Sequence, residues 1–490
     1  MRIIKKGNEA REALKRGIDL ACDCIKVTLG PTGRNAILGR IDIPPTITND
    51  GVSVARNVEA EDEIENQGVW IVKEACSVAS AMGGDGTTTT AVLLQAIVKE
   101  LFERLKDNGS LVSKKPNVIE LMREVDKACD DTVTALKLKA RPITEDEIYK
   151  VAKVSGEFDW LATIVSDIYK KIGKDGYVKI EEGFKTGFKT FKGIEFSSGY
   201  PSEYFVTEDR KCVMDNPYIL ISNQAMDTPC VVDIIPKLVD LEAKGLIIIA
   251  PEFSRDMINR LNTTKLKTGF SAVALKLQGY GNDDLYLDIA TLTNAKFLDR
   301  NVYTKIEDLI ADIKIENLGR SERIEITDSN TTIIGGEGDT SKRVESIKSK
   351  MENTKSLFDR DTMEKRVAYL SGGIATLTVG GDSDFEKMYF KLKAENAVNS
   401  VQSALRDGVV KGGGVTLKEI SSVENILSNA LKAPYNQIQE NAGGKLEVSD
   451  DVLDAVSVTI SSLKSACSLA GRVLTTEVVI AFKNEPKDKN

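Results

Sequence analysis

The spacing of apolar residues divides the chain into a helical first part, a mixed middle and a helical end. Between residues 9 and 105, apolar side chains recur mostly every three or four positions, which is the period of an amphipathic helix. This spacing predicts helices over 9–29, 65–81 and 88–105. Prolines at 44–45 and 116 interrupt the pattern. The first 140 residues or so are therefore predicted to be mostly helical.

The middle of the chain has the pattern of a small α/β domain. Short aliphatic runs predict strands over 246–250 and 272–277. Helical spacing predicts a helix before each strand, over 232–244 and 253–267. A helix–strand–helix–strand order favours a partly parallel sheet. Outside this region, we predict strands over 177–181 and 374–379 and helices over 341–370 and 385–405.

The composition excludes several classes of function. The chain has 490 residues, enough for about three domains, and no histidine. Mechanisms that need an imidazole, such as Ser-His-Asp hydrolysis, Cys-His proteolysis and histidine-zinc chemistry, are therefore excluded. Catalysis would have to use carboxylates, hydroxyls, lysine, arginine, cysteine, backbone N–H groups or a bound metal. The net charge of −8 leaves no basic excess for phosphates, so nucleic acid is not expected as a partner.

Apolar stretches and cysteines favour the cytoplasm as the location. The longest aliphatic run, 246–250, is far shorter than the roughly 18 residues that span a bilayer. The charged start, MRIIKKGNEA, lacks the apolar region of a signal peptide. The seven cysteines are scattered, and the close pair Cys22 and Cys24 has neither redox nor zinc-site spacing. We expect reduced thiols and no contact with a membrane.

Two glycine-bearing segments near the start have two interpretations each. Residues 28–34, TLGPTGR, follow a predicted helix, and their turn could present backbone N–H groups to an anion. The alternative is a helix C-cap followed by a turn. Residues 46–54, TITNDGVSV, contain Asn-Asp-Gly between β-rich flanks, which is a hairpin signal. Here a structural turn is the alternative to a catalytic Asp50.

The most specific glycine segment is GGDGTTTT, at residues 83–90. It opens an apolar helix, whose unpaired N–H groups can bind phosphate while threonine hydroxyls add donors. Asp85 could hold Mg²⁺, which prefers one or two carboxylates together with phosphate oxygens. The alternative is a threonine-capped helix. A fourth segment, GVVKGGG at 408–414, is either a site of close ligand approach or a flexible turn; the chain has no P-loop and no complete Rossmann fingerprint.

Together these segments resemble the GroEL-type (group I) chaperonins, and the resemblance runs nearly end to end. Six separated motifs stand in the family's order, which makes the match highly specific. The motifs are VTLGP at 27–31 with GRN at 33–35, TNDGVSVA at 48–55, GDGTTT at 84–89, LDIATLT at 287–293, RVA at 366–368 with GG at 372–373, and GVVKGGG at 408–414. The chain is identified as a shortened and divergent member, and its departures favour a specialised, virus-encoded one.

The resemblance implies a fold and an assembly. The expected fold is a multidomain α/β chaperonin fold with a mainly helical equatorial domain. Its parts would be an equatorial ATP-binding domain (1–138 and 408–490), an intermediate domain (139–190 and 375–407) and an apical substrate-binding domain (191–374). A homo-oligomeric ring, typically of seven subunits, is implied as well. Single or double ring, and the need for a co-chaperonin, stay open.

The resemblance also implies where ATP and its cations bind. Asp85 would be the Mg²⁺ ligand. Asp50 would orient or activate the attacking water, with a monovalent cation such as K⁺ nearby. Asp454 resembles the family's ribose-contacting carboxylate. The positions that would contact the nucleotide are Thr28, Leu29, Gly30, Pro31, Gly51, Asp85, Gly86, Thr87, Thr88, Thr89 and Gly413.

Three departures from the family bear on this chemistry. The family's second catalytic carboxylate is Asn396 here, and an amide cannot take a proton from water. Losing such a base commonly costs about 10²–10⁴ in rate. Asp50 and Glu395 are the possible substitutes, although Glu395 is expected to point elsewhere on its helix. Asn49 replaces a phosphate-side lysine, and a segment that packs against adenine is missing between 441 and 451.

The resemblance places the binding of non-native protein in the apical domain. There the family uses an apolar groove, and this chain keeps apolar or aromatic residues at most of its positions. From periodicity alone, ordinary helix core is the alternative interpretation. The residues carried over are Tyr200, Tyr204, Phe205, Ile235, Leu238 and Ile258, whereas Asn262 and Thr263 stand where the family has valine.

Two functions of different classes follow. The first is an ATP-dependent chaperonin that binds non-native proteins in a ring cavity and assists their folding. The second is a nucleotide-responsive holdase that binds ATP, hydrolyses it slowly or not at all, and captures client proteins. Asn396 favours the second, whereas the intact Asp50 and Asp85 favour the first. A metabolic kinase or ligase has little support, because no substrate-pocket motif accompanies the nucleotide segments.

Overall fold

The computed structural model describes residues 2–40, 43–106, 117–200, 205–206, 211–277, 283–354 and 356–482. The chain divides into two compact units. The first comprises Met1–Asp167, Ile180–Gly187 and Thr378–Asn490, and the second comprises Ile168–Lys179 and Phe188–Leu377. The first unit is thus built from both ends of the chain and the second from its middle.

Eighteen helices lie in the described residues, and they dominate the first unit. Their bounds are α1 (Gly7–Lys26), α2 (Gly51–Asn57), α3 (Glu63–Gly83), α4 (Thr87–Lys106), α5 (Val118–Lys139), α6 (Glu145–Gly156), α7 (Asp159–Ile172), α8 (Pro229–Val232), α9 (Ile234–Asp240), α10 (Arg255–Thr268), α11 (Asp283–Thr293), α12 (Ile306–Asp312), α13 (Ser341–Asn353), α14 (Leu357–Ser371), α15 (Asp384–Asp407), α16 (Val415–Ile420), α17 (Ala433–Asn441) and α18 (Val456–Thr475). The three helices predicted before residue 106 are all present, with ends shifted by one to three residues.

The same residues contain eighteen strands, most of them short. They are β1 (Arg2–Lys6), β2 (Ala36–Arg40), β3 (Ile43–Thr48), β4 (Tyr177–Glu182), β5 (Gly187–Phe191), β6 (Gly193–Phe196), β7 (Cys212–Asp215), β8 (Tyr218–Ser222), β9 (Gly245–Ala250), β10 (Ser271–Lys276), β11 (Phe297–Leu298), β12 (Gly319–Arg320), β13 (Arg323–Ile326), β14 (Thr331–Ile334), β15 (Ile374–Val379), β16 (Val409–Lys411), β17 (Leu453–Ala455) and β18 (Val478–Phe482). The strand predicted over 374–379 has the predicted bounds.

The core of the first unit forms where the apolar faces of its long helices meet. Along α1 the predicted stripe, which includes Ala10 and Ile18, is fully buried. Helix α1 packs closely on α3 because glycines stand at the crossing. A Cβ on Gly17 would lie 1.8 Å from the backbone oxygen of Glu65. Any larger residue at this crossing would push the two helices apart.

Three antiparallel sheets of two strands each surround these helices. Strand β1 pairs with β18, β2 with β3, and β16 with β17. The first and the last described strands of the chain are therefore neighbours. A further sheet of three strands has the order β4-β15-β5.

The second unit contains the predicted α/β arrangement. Strands β8, β9, β10 and β11 pair in parallel in the order β10-β9-β8-β11, and β12 joins β8 in the antiparallel direction. Strands β9 and β10 are almost wholly buried, which explains their continuous aliphatic runs. A separate antiparallel sheet has the order β6-β14-β13-β7.

Two predicted helices differ in extent from those in the structure. The helix predicted over 232–244 corresponds to the shorter α9, which follows α8 and ends at Asp240. The helix predicted over 341–370 is the pair α13 and α14, where Ser356 caps α14 by accepting a hydrogen bond from the backbone N–H of Asp359. Apolar spacing continued past the end of α9 and across the break before Ser356, so periodicity alone gave no sign of either.

The two units do not separate the three expected domains. Most of the residues expected to form an intermediate domain, including α6 and α15, belong to the first unit. The three-domain division therefore stays a prediction. Within the described residues, no helix is both long enough and apolar enough to span a bilayer.

Candidate functional site

The loop at residues 83–89, which joins α3 to α4, is shaped by two glycines. Gly84 and Gly86 have positive φ angles of 79° and 91°. A Cβ on Gly86 would lie 2.4 Å from Ser462 Oγ, and one on Gly84 would lie 2.5 Å from Asn399 Cβ. Only glycine fits both the backbone angle and the space. The loop ends in the first turn of α4, whose leading backbone N–H groups have no partner within the helix.

Thr88, in the first turn of α4, is where three predicted motifs meet. Its Oγ1 lies 3.3 Å from Thr28 Oγ1. A Cβ on Gly51 would lie 2.4 Å from the same Thr88 oxygen. Thr28 belongs to the turn after α1, in which Gly30 has a φ of 88°. The structure therefore brings the first three glycine-bearing segments together.

The neighbouring positions of these motifs occupy the same two places. Leu29 and Pro31 lie in the turn after α1, with Leu29 half-buried and Pro31 exposed. Thr87 and Thr89 lie in the first turn of α4, with Thr87 buried and Thr89 half-buried. The positions expected to contact phosphate thus stand on one turn and one helix start.

Asp50 begins a helix, so the hairpin predicted from Asn-Asp-Gly is wrong. Its carboxylate is the N-cap of α2, accepting hydrogen bonds from Ser53 N at 2.8 Å and Ser53 Oγ at 2.6 Å. Aspartate favours helix N-caps as well as turns, because in both places it satisfies free backbone N–H groups. Strands β2 and β3 do form a hairpin, but it ends at Thr48. Asp50 itself is 6 % exposed.

One face of α15 lies against the 83–89 loop. Ser400 Oγ is 3.3 Å from Asp85 Oδ2, and Asn399 Nδ2 donates to the backbone oxygen of Gly84 at 3.4 Å. Residues three and four apart on a helix share a face. Asn396 therefore stands one turn before Asn399 and Ser400 on the face that meets this loop.

The fourth glycine segment packs against Asp454. The backbone N–H of Gly413 donates to the Asp454 carboxylate. A Cβ on Gly412 would lie 2.6 Å from Asp454 Oδ1. Gly413 and Gly414 have φ angles of 63° and 74°. The turn of three glycines is therefore required for this close approach.

The pKa values of two carboxyl groups of the site, Asp85 and Asp454, are raised. Burial raises the pKa of Asp85; the N–H of Gly86 and the charge of Lys393 oppose this shift, and the charge of Asp50 adds to it. Burial raises the pKa of Asp454 to about 6, and the charge of Asp85 adds to that shift. Negative charge is thus poorly compensated by the protein itself, which suits a site that receives a cation.

The donor set fits a cation that is shared with a phosphate. Within the described residues, no three Cys, Asp or Glu side chains stand close enough to form a metal site by themselves. Mg²⁺ needs only one or two carboxylates when phosphate oxygens supply other ligands. Asp85 stands beside the start of α4 and would be that ligand, with the charge of Asp50 in range.

Glu395, the other candidate substitute for the missing carboxylate, is within range of the charge of Asp50. It is half-buried, and burial raises its pKa; Lys391 opposes the shift, whereas Asp50 and Glu182 add to it. An effect of Asp50 on this pKa requires the two carboxylates to be within interaction range. A charge effect does not fix the direction of a side chain, so the expectation that Glu395 points away from the site stays a prediction.

The sequence reasoning missed a buried lysine beside the site and its ion pair with an exposed glutamate. Lys393 is 4 % exposed, and its Nζ lies 2.5 Å from Glu157 Oε1. Asn49 Nδ2 donates to Glu157 Oε2 at 2.9 Å, and the Tyr389 hydroxyl donates to Asn49 Oδ1 at 3.0 Å. Lys393 also favours the ionised form of Asp85. The available signal was the helical spacing of this lysine from small buried residues of α15.

Comparison with known proteins agrees with this geometry. Residues 22–242 match the model of the TCP-1/cpn60 chaperonin family. The structure is similar to that of the chaperonin gp146 from the bacteriophage EL 2 (Pseudomonas aeruginosa), determined in the presence of ATP-BeFx in two crystal forms. Form I has a TM-score of 0.70 and 19 % identity, covering 98 % of this chain and 99 % of the gp146 chain. The chain has the chaperonin fold. Form II has a TM-score of 0.61 and 20 % identity, and the match covers 98 % of this chain and 100 % of the gp146 chain.

The chaperonin fold confirms two expectations from the sequence. One is the resemblance to chaperonins, which rested on six short motifs. The other is the fold class, a multidomain α/β architecture with a mainly helical part. At 19–20 % identity the similarity to gp146 concerns the fold.

Three residues expected to face non-native protein lie in the core of the second unit of this chaperonin fold. Phe205 and Leu238 are fully buried, and Ile235 is 6 % exposed. They pack in the same apolar core as strands β8, β9 and β10. The expectation that these three line an exposed groove is therefore corrected. The alternative from periodicity, ordinary helix core, describes them.

Other apolar residues of the same region are accessible. Tyr200 and Ile258 are half-buried and pack on the edge of that core. Tyr204 lies outside the described residues. Three further apolar side chains of this region, those of Val232, Leu241 and Leu266, are 37 %, 57 % and 83 % exposed. Sequence reasoning missed them, because apolar spacing does not show which face of a short helix is covered.

Proposed function

We propose that the protein is a chaperonin that binds ATP and uses it to assist the folding of non-native proteins. The observation that carries this proposal is the meeting of Thr28, Gly51 and the 83–89 loop at Thr88. A helix start with glycines that admit close approach, threonine hydroxyls and adjacent carboxylates suits a nucleotide with its cation. The chaperonin fold supports the same proposal.

The roles proposed for the residues follow their chemistry and the family resemblance. Asp85 holds Mg²⁺, which would neutralise phosphate charge when bound. Asp50 takes the proton of the attacking water, with K⁺ as a candidate neighbour. Asp454 accepts hydrogen bonds from ribose hydroxyls. The proposed phosphate contacts come from Thr28, Leu29, Gly30, Pro31, Gly51, Gly86, Thr87, Thr88, Thr89 and Gly413.

Hydrolysis is expected to be slow. Asn396 stands on the face of α15 that meets the 83–89 loop, and its amide neither accepts a proton nor carries charge. Asp50 is then the main base, with Glu395 as a second carboxylate in its range. An enzyme that keeps one of two such groups commonly loses about 10²–10⁴ in rate.

The amide at Asn396 also favours a second candidate, a nucleotide-responsive holdase. Such a protein would bind ATP at the same site and capture clients without a full cycle of hydrolysis. The intact Asp50 and Asp85 favour the chaperonin with turnover. The two proposals therefore differ in the rate of hydrolysis and share the site.

We place the binding of clients on the second unit. Tyr200 and Ile258, together with the exposed Val232, Leu241 and Leu266, offer apolar surface there. Exposed apolar surface on a folded protein commonly marks a binding site, and non-native chains expose the matching surface.

We also propose a homo-oligomeric ring, typically of seven subunits, in the cytoplasm. Two-stranded sheets keep unpaired edges that can pair with another chain. Ile37 and Ile47 on the β2–β3 sheet, and Ile4 and Ile480 on the β1–β18 sheet, are all more than half exposed. The seven cysteines are free thiols, which suits a reducing compartment.

Steady-state ATP hydrolysis by the full chain tests the proposal. The variants are Asp50→Ala, which removes the proposed base, and Asn396→Asp, which adds the missing one. Asn353→Asp, at the exposed end of α13, is the control for an added charge. We expect measurable turnover in the wild type, loss of at least tenfold in Asp50→Ala, and a gain in Asn396→Asp alone.

The outcomes separate the candidates. Turnover that Asp50→Ala abolishes supports the ATP-dependent chaperonin and rules out the holdase. ATP binding without turnover, with a large gain in Asn396→Asp, supports the holdase. Absence of ATP binding by calorimetry contradicts both.

A further inference from the structure

One wall of the proposed nucleotide site is formed by α17 and the connection that follows it. Helix α17 contacts two glycine turns of the site. A Cβ on Gly30 would lie 3.2 Å from Ile438, and one on Gly414 would lie 2.6 Å from the backbone nitrogen of Tyr435. Past the helix, Val448 lies beside Gly413, since a Cβ there would be 3.0 Å from its Cγ1.

This wall is where the base of a bound nucleotide would lie. Phosphates at the start of α4 and ribose hydroxyls at Asp454 fix the two other parts of the ligand. The Gly412–Gly414 turn touches Asp454. A base attached to that ribose therefore extends over what adjoins the turn, namely Val448 and the side of α17 that carries Ile438.

Three amide side chains of this wall, those of Gln437, Gln439 and Asn441, form hydrogen bonds within the protein. Gln439 bonds Leu446 in both directions: its Nε2 donates to the backbone oxygen at 2.9 Å, and its Oε1 accepts from the backbone nitrogen at 2.5 Å. Asn441 Nδ2 donates to the backbone oxygens of Lys26 and Leu29, each at 2.9 Å. Asn441 Oδ1 accepts from Gln437 Nε2 at 2.9 Å.

The side chains that lie against the turns at Gly30 and Gly413 are apolar. Ile438 is 6 % exposed, and Val448 is half-buried against the glycine turn. Adenine and guanine differ at the 6-position, where one carries an amino donor and the other a carbonyl acceptor. A site that hydrogen-bonds such a group rejects the wrong ligand by about 10⁴–10⁵, whereas an apolar wall discriminates by only about 10–200-fold.

We propose that this site binds purine nucleoside triphosphates through their phosphates and ribose, with little selection between adenine and guanine. The inference rests on the proposed function, because it assumes that the site holds a nucleotide. It extends that function by assigning the ligand class: GTP is bound as well as ATP.

Calorimetric titration of the full chain with the magnesium complexes of AMP-PNP and GMP-PNP tests this inference without turnover. We expect both to bind, with the guanine analogue weaker by less than about 100-fold. If AMP-PNP binds and GMP-PNP binds more than about 100-fold more weakly, or not at all, the inference is wrong and the proposed function still stands. Binding of neither analogue overturns both.

Substitutions at the wall show which groups meet the base. Val448→Asn places an amide beside Gly413, and we expect it to change the ratio of the two affinities by about tenfold, while Val448→Leu leaves the ratio unchanged. Asn441→Leu should weaken both analogues equally, because Asn441 positions the turn after α1. A ratio that moves with Asn441→Leu and not with Val448→Asn would show that Asn441 reads the base, and the inference would be wrong.

Discussion

Asp454 is a carboxyl group that the folded protein holds in an unfavourable state at neutral pH. Its pKa is raised to about 6, mainly by burial and then by the charge of Asp85. The ordinary pKa of aspartate is near 4 in an unfolded chain. A raised folded pKa means that the protonated form stabilises the fold below pH 4, and that this contribution is lost as the pH rises through 6.

Asp454→Asn should therefore stabilise the unliganded protein at pH 8 by about 2 kcal/mol, because the amide carries no charge to desolvate. The advantage should shrink as the pH falls from 6 to 4. Urea unfolding of both proteins at pH 5 and pH 8 measures it. Equal stabilisation at the two pH values would show that the ionisation of Asp454 is not its cause.

Gly86 combines a positive φ with a crowded site. Gly86→Ala should cost more stability than Gly173→Ala, since the φ angles are similar, 91° and 76°, but a Cβ on Gly173 meets nothing within 4 Å. We expect a difference of about 1–3 kcal/mol between the variants, the usual effect of overpacking. Thermal melting measures it. Equal losses of stability would show that the backbone angle, and not contact with Ser462, is the reason that glycine is required at position 86.

For single residues, the sequence predicted local roles better than it predicted which residues are in contact. The glycines and threonines of the 83–89 loop could be assigned because a helix start has free N–H groups whatever surrounds it. The N-cap role of Asp50 could not, because Asn-Asp-Gly suits a hairpin equally well. The pair Lys393–Glu157 joins two helices far apart in the chain, and no local pattern reports such a contact.

Three helices of the second unit are joined by a cluster of four charged side chains. Asp288 on α11 is 1 % exposed, and it accepts from Arg343 Nε on α13 at 2.7 Å and from Arg366 Nε on α14 at 2.6 Å. Asp284 bonds the same two arginines at 2.8 and 2.9 Å. The cluster is neutral as a whole, with two positive and two negative groups.

Asp288→Asn should destabilise the second unit by about 3–5 kcal/mol, because it leaves excess positive charge buried between three helices. Asp215→Asn is the matched control: this side chain is 67 % exposed in its pair with Arg323, where about 0–1 kcal/mol is expected. Scanning calorimetry gives both values. Similar losses in the two variants would contradict a special role for burial.

At the scale of elements, strands were predicted where burial made the pattern simple. Strands β9 and β10 are covered on both faces, so unbroken aliphatic runs marked them. The end of α9 at Asp240 and the break before Ser356 left the apolar spacing intact and were missed. Burial of Phe205 and Leu238 could not be predicted either, since an amphipathic stripe does not tell whether its partner lies inside the chain or outside.

The proposed ring depends on surfaces that the single chain leaves uncovered. Ile37→Lys should abolish self-association while leaving the melting temperature within about 2 °C, because Ile37 is 69 % exposed and contributes little to the core of its own chain. Leu138→Lys, at 83 % exposure on α5, is the control. Sedimentation velocity distinguishes the outcomes. A ring that forms with Ile37→Lys and not with Leu138→Lys would move the interface to α5.

For the whole molecule, six motifs in the order of a known family predicted the fold. Local patterns of apolar residues could not have predicted it. The first unit contains residues from both ends of the chain, whereas the expected three-domain division stays a prediction. The division of that unit into two domains was not resolved, because the packing of α6 on α15 joins the parts expected to be separate. Contacts between distant segments decide such boundaries, and a linear pattern does not contain them.

The pairing of β1 with β18, and of the turn after α1 with residues beyond 430, has a consequence for biosynthesis. At 5–20 residues per second, Asp454 leaves the ribosome about 20–85 s after Thr28. During that interval the first helices have neither their last strand nor their partner helix α18. If the proposed site holds nucleotide, a nascent chain lacks part of it during that interval, and nucleotide binding would then distinguish finished subunits from incomplete ones.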